Sequence, residues 1–158
     1  MFVLAAVSCV RSDDLSYDGI ESVKLRAVGT SQTDVDVFVR ASNASGTAVS
    51  VVRADLELSR GGSVLLTASV DEKVKLPRRS ENVTVRVPVR VRFEGGMLGA
   101  LGLMKTLSRG TNGTTVSGTV VVKAGAIRKK FKIEDMETDR FLRRFGIDLS
   151  DIRQGIGL

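Results

Sequence analysis

Val83, Val85, Val87, Val89, Val91 and Phe93 stand at every second position of the chain, with Thr84, Arg86, Pro88, Arg90 and Arg92 between them. Successive side chains of a strand point to opposite faces, so this spacing makes an extended segment with one apolar and one polar side. It excludes a helix, whose face neighbours lie three or four residues apart. One such strand cannot bury its apolar side alone, and the chain must supply others to pair with it.

Shorter stretches repeat the pattern. Residues 22–28 place Val23, Leu25 and Ala27 inward. Residues 34–41 place Val35, Val37 and Val39 inward and turn Asp34, Asp36 and Arg40 to water. In a third strand Val52, Ala54, Leu56 and Leu58 alternate with Arg53, Asp55, Glu57 and Ser59. Gly61 and Gly62 tolerate positive φ and predict a tight hairpin into a fourth strand with Val64, Leu66, Ala68 and Val70 inward. The segment from 83 to 93 is the fifth. Pro88 donates no ladder hydrogen bond, which puts that strand at a sheet edge or breaks its pairing there. Residues 114–123, with Val116, Val120 and Val122, and residues 126–134, with Ile127, Phe131 and Ile133, complete seven strands.

Met97, Leu98, Leu101, Met104 and Leu107 depart from this rule. Their spacing predicts a short helix between the fifth and sixth strands, laid across an open end of the sheets. A second helical turn is expected from Thr138. Seven Val-rich strands without alternating helices predict an all-β chain, a seven-stranded immunoglobulin or fibronectin type III-like β-sandwich. Its length of 158 residues suits one domain, and its 42% hydrophobic and 27% charged residues are ordinary for a folded protein.

The first nine residues form an apolar run ending in Ala6-Val7-Ser8-Cys9, which contains the chain's one Cys and resembles the lipobox of bacterial lipoproteins. The run is far short of the roughly 20 residues a membrane-spanning helix needs. The resemblance implies lipidation at Cys9, attachment to a membrane through that anchor, and a place in the bacterial cell envelope as an outer-membrane lipoprotein facing the periplasm or the cell surface. Asp13 and Asp14 follow in a short polar tether. On this reading residues 1–16 are signal remnant and linker, 17–135 the sandwich, and 136–158 a helical turn and tail.

Gly19-Ile20-Glu21-Ser22-Val23-Lys24-Leu25, the strand running into Asn43, the Leu56 to Gly62 hairpin, the Leu76-Pro77 step and the strand from Val83 resemble the type 2 late embryogenesis abundant domain, also called the water stress and hypersensitive response domain. The resemblance covers about residues 19–134 and rests on order and pattern. The family usually carries Asn-Pro-Asn at the turn after its second strand, where this chain keeps Asn43 alone. It implies a small envelope domain without enzyme activity, acting as a binding, structural or stress-protective module.

Composition removes much chemistry. With no His and one Cys, the chain lacks the Ser-His-Asp and Cys-His arrangements and zinc sites built on His or Cys clusters; no catalytic residue, metal or cofactor is expected. Asp34 and Asp36 have no evident acid–base partner and read as solvated charges. The glycine run from Gly95 to Gly102 lacks the strand, turn, helix and later acid that give a dinucleotide loop its meaning. Asn43, Asn82 and Asn112 fit glycosylation sequons but are read as turns.

The 24 Lys and Arg against 18 Asp and Glu leave a net charge of +6, a bias toward anionic partners. Arg86, Arg90 and Arg92 project from one face of the fifth strand, and Lys123, Arg128, Lys130 and Lys132 crowd the last hairpin. If these faces adjoin, they make a patch for anionic lipid or an acidic envelope polymer. With only seven aromatic residues (six Phe and Tyr17), specific nucleic-acid binding is not expected. Charged outer faces also serve solubility, and lysines on edge strands block aggregation. A soluble anion- or nucleic-acid-binding sandwich, or a hydrolase using Asp or Ser, are the other readings of the same residues.

Overall fold

In the computed structural model, residues 14–29, 31–108, 110 and 113–144 are described. The chain is all-β with two short helices. Strands β1 (Leu15–Val28), β2 (Gln32–Asn43), β3 (Val49–Arg60), β4 (Ser63–Val70), β5 (Val74–Leu76) and β6 (Ser80–Phe93) precede helix α1 (Gly96–Ser108); β7 (Thr114–Ala124), β8 (Ile127–Glu137) and helix α2 (Thr138–Arg144) follow. Among the described residues eight strands therefore stand where seven were expected. The addition is β5, three residues long and too short to show a period.

All pairings are antiparallel, in the order β1-β2-β6-β4-β3-β7-β8, with β5 beside the start of β3. The sheet curls. Leu15 of β1 shares a buried cluster with Val49 of β3 and with Val122 and Ala124 of β7, although β1 and β7 lie far apart in strand order. Leu76, Val120, Ile127 and Phe131 pack against this cluster. Leu15 belongs to that core, so β1 begins two residues before the expected start of the sandwich at Tyr17, and β8 runs two residues past 135.

Strand β6 keeps the alternation of its sequence, with the valines half-buried and Thr84, Arg86, Arg90 and Arg92 exposed. Pro88 is buried, and β6 is an interior strand. The proline is accommodated because β4 pairs only with Arg90 to Phe93, so the half of β6 that holds Pro88 has a neighbour on one side alone. The hairpin at Gly61 and Gly62 forms as expected, with φ of 56° and 80°. At Gly118 a side chain is excluded for another reason: a Cβ there would run into the Asp55 carbonyl and the Leu56 Cα of β3.

Some expected inward residues are not inside. Leu25 is 52% exposed and Ala27 is exposed as well, because a bulge between Leu25 and Ala27 tilts the free edge of β1 outward. In α1 Leu103 is buried, whereas Leu98 (82%) and Leu101 (58%), expected on the apolar face, are exposed. The glycine run follows β6 and, from Gly96 on, lies within α1 rather than in a loop before it; β7 pairs antiparallel with β3 and β8, and no parallel dinucleotide-binding unit forms among the described residues.

Candidate anion-binding face

Continuous pairing carries the polar side of the strands across the sheet. Asp34 lies opposite Arg90, Arg90 opposite Ser69, Ser69 opposite Asp55, Asp55 opposite Thr119 and Thr119 opposite Lys132. The two sets of cations thus share one face. Four strand spacings separate β6 from β8 in the sheet order, and Asp71 links the two sets, pairing with Arg90 and lining a groove with Arg128 and Lys130.

Two of the three arginines of β6, Arg86 and Arg90, are neutralised by acids. Arg86 Nε lies 3.0 Å from Asp36 Oδ2 and its Nη1 3.6 Å from Glu72 Oε2. Arg90 Nε lies 3.3 Å from Asp34 Oδ1 and its Nη1 3.6 Å from Asp71 Oδ2. Arg92 Nε donates to Gln32 Oε1 at 3.1 Å. Asp36 is not a solvated charge: the residue is buried, and Arg26 Nε sits 2.7 Å from its Oδ1, close enough to attract it although the N–H is not aimed at that oxygen. Arg26 is the extra residue of the β1 bulge, which turns it toward β2. The hydrogen bond from Arg86 holds the Asp36 carboxyl below its ordinary value, burial opposes this, and the charges of both arginines add to the lowering. The same hydrogen bond raises Arg86.

The cations of the last hairpin differ. Lys123, Arg128, Lys130 and Lys132 are exposed, and no ion pair to any of them is found among the described residues. Lys123 lies opposite Arg128, and Val121 opposite Lys130. Beside them is an open groove of about 660 Å³ lined by Val52, Arg53, Asp71, Val121, Arg128 and Lys130. It exists because β4 ends at Val70 and leaves the middle of β3 uncovered. Val52, expected inward, is the extra residue of a bulge between Val51 and Arg53, so two successive residues line the groove. Arg53 Nε lies 2.7 Å from Asp55 Oδ2, and that hydrogen bond raises the Arg53 guanidinium, with Asp71 adding attraction.

Sequence reasoning found the β8 cations but not Arg53, Val52 or Asp71, since a bulge and a strand end leave no periodic signal. Cys9 and Asn112 lie outside the described residues. Asn43 is fully buried: its Nδ2 donates to the Thr47 carbonyl at 2.9 Å, and its Oδ1 accepts from Ser45 N at 3.0 Å and Ser45 Oγ at 2.6 Å. It closes the turn after β2, as read. Among the described residues no group of three or more His, Cys, Asp or Glu is placed to hold a metal, and no helix is long and apolar enough to cross a membrane.

No family model matches the chain, and no curated protein matches it either. Among solved structures, the chain is similar to the crystal structure of a protein from Archaeoglobus fulgidus, at 12% identity over 75% of this chain and 98% of that one, with a TM-score of 0.45.

Proposed function

We propose that the protein is a non-enzymatic binding module of the bacterial cell envelope, tethered by a lipid on Cys9, whose β7–β8 hairpin holds it against an anionic surface. The observation that carries this reading is the contrast between the two basic strands. Arg86 and Arg90 of β6 are spent on Asp34, Asp36, Asp71 and Glu72, whereas Lys123, Arg128, Lys130 and Lys132 of the hairpin have no acidic partner among the described residues. Uncompensated cations near an anionic membrane each contribute about 1 kcal/mol, and a lipid tether supplies the proximity they need. The β-sandwich of the type 2 late embryogenesis abundant kind is part of the proposal; the cluster joining Leu15 to β3 and β7, and the buried Asn43 after β2, support it.

The test is flotation of the full chain with vesicles. Binding to anionic vesicles falls with salt, and reversal of Lys123, Arg128, Lys130 and Lys132 to Glu removes it, because attraction to headgroups acts over roughly 8 Å at physiological ionic strength. Cys9→Ala releases the mature protein from cell membranes. Equal binding to neutral vesicles, or an unchanged quadruple variant, overturns the electrostatic reading; a mature protein with a free Cys9 thiol overturns the tether.

A further inference from the structure

A basic face that merely leans on a membrane needs no cavity, yet the hairpin cations border one. Within the groove, charges sort into three kinds. Arg53 is held by Asp55, and Asp71 is held by Arg90. Arg128 and Lys130 are left, two residues apart on the same face of β8 and so about 7 Å from each other along the strand. Val52 and Val121 lie beside them. Apolar walls lower the local dielectric, which strengthens attraction between the cations and an anion that enters.

We propose that this groove is a discrete site for one phosphoryl group, bridged by Arg128 and Lys130, with Asp71 on its lining as a built-in competitor. A planar guanidinium offers two parallel donors to phosphate oxygens and an ammonium a compact charge, a pair that suits a tetrahedral oxyanion better than two lysines would. Two uncompensated cations favour a dianionic phosphomonoester over a singly charged diester. Asp71 tempers that preference. Its carboxylate repels an arriving anion while Arg90 keeps it in place, so bulk anions of low charge are screened out. The group can belong to a lipid headgroup or to a free phosphate ester. The inference rests on the reading of the hairpin as an anion-binding face, but it is separable from it, since a diffuse face requires neither Asp71 nor saturation.

The experiment follows amide shifts of the full chain during titration with inorganic phosphate, for the native protein and for Asp71→Asn, Lys24→Gln and the Arg128→Gln, Lys130→Gln pair. Saturable shifts at Arg53, Val121, Arg128 and Lys130 are expected. Removing the Asp71 charge tightens binding about twofold to fivefold, the range of one exposed charge interaction, and the double variant abolishes it. Lys24→Gln, on the edge strand β1 and outside the groove, leaves the affinity as it was. Vesicles with phosphatidic acid or phosphatidylglycerol at matched charge separate the sources: preference for the first assigns a lipid headgroup, and equal binding with saturable phosphate shifts assigns a free ester. Shifts that never saturate, or an unaltered Asp71→Asn affinity, overturn the site while the anionic face stands. Absence of binding to every anion overturns both. Tighter binding of an oligoglutamate than of phosphate at these residues overturns the phosphoryl assignment in favour of an acidic peptide.

Discussion

Arg86 Nε sits 3.0 Å from Asp36 Oδ2, joining β6 to β2 across the polar face of the sheet at a carboxylate that is itself buried. Neutralising the carboxylate leaves Arg26 and Arg86 facing one another with no negative charge between them. Asp36→Asn is expected to lower stability by about 1–2 kcal/mol, less than a fully buried pair because both arginines remain well exposed. Arg92→Ser, which loses one bond to a neutral amide, is expected to change stability by no more than about 0.5 kcal/mol. Urea melts of the two variants check the order.

The pH dependence follows from the same carboxylate. Its folded pKa lies below the reference value of 3.8, so its stabilisation is fully present above that value and is lost as pH falls through the folded pKa. The gap in stability between native protein and Asp36→Asn is therefore constant from neutral pH down to about pH 5 and closes below 3.8. Paired denaturant melts at neutral and acid pH measure it. A gap that closes near neutrality would place the linkage on a different group.

Asn43 is expected to be the most sensitive polar residue. Asn43→Ala strands the Ser45 amide in a buried turn and leaves the Thr47 carbonyl only the Ser45 hydroxyl, at about 1–3 kcal/mol. Asn43→Asp keeps the acceptor and loses the donor, so it falls between Ala and the native residue only if the turn tolerates a charge. Thermal unfolding of both variants tells these apart.

Two glycines respond in opposite directions. Gly118→Ala drives a methyl group into the β3 backbone and is expected to destabilise by about 1–3 kcal/mol. Gly102 in α1 has open space around its Cα, and Gly102→Ala is expected to stabilise by as much as about 1 kcal/mol through helix propensity. Calorimetry of the two proteins gives the sign of each.

Much of this was legible from period alone. The valines of β6 and β2 and the Gly61–Gly62 hairpin sit as their spacing dictates, because alternation reports directly which residues share a face. Spacing does not report what covers that face. Leu98 and Leu101 have helical spacing but stay exposed, and Asp36 reads as solvated until Arg26 and Arg86 are seen to close over it. The groove was hidden for a related reason: the bulge at Val52 and the end of β4 are local departures from period, and Asp71 reaches the hairpin cations only through pairings between segments remote in sequence.

Those remote pairings also set how the chain reaches its native state. The β1–β2, β3–β4 and β7–β8 hairpins close over short stretches, but β2 must wait for β6 and β3 for β7, each across dozens of residues. Loop-closure entropy is spent before these ladders return anything, which places folding on the order of milliseconds to seconds rather than microseconds. While it waits, the nascent β1–β2 hairpin shows the valine row of β2 to solvent, and an emerging chain in that state is a natural client for a chaperone.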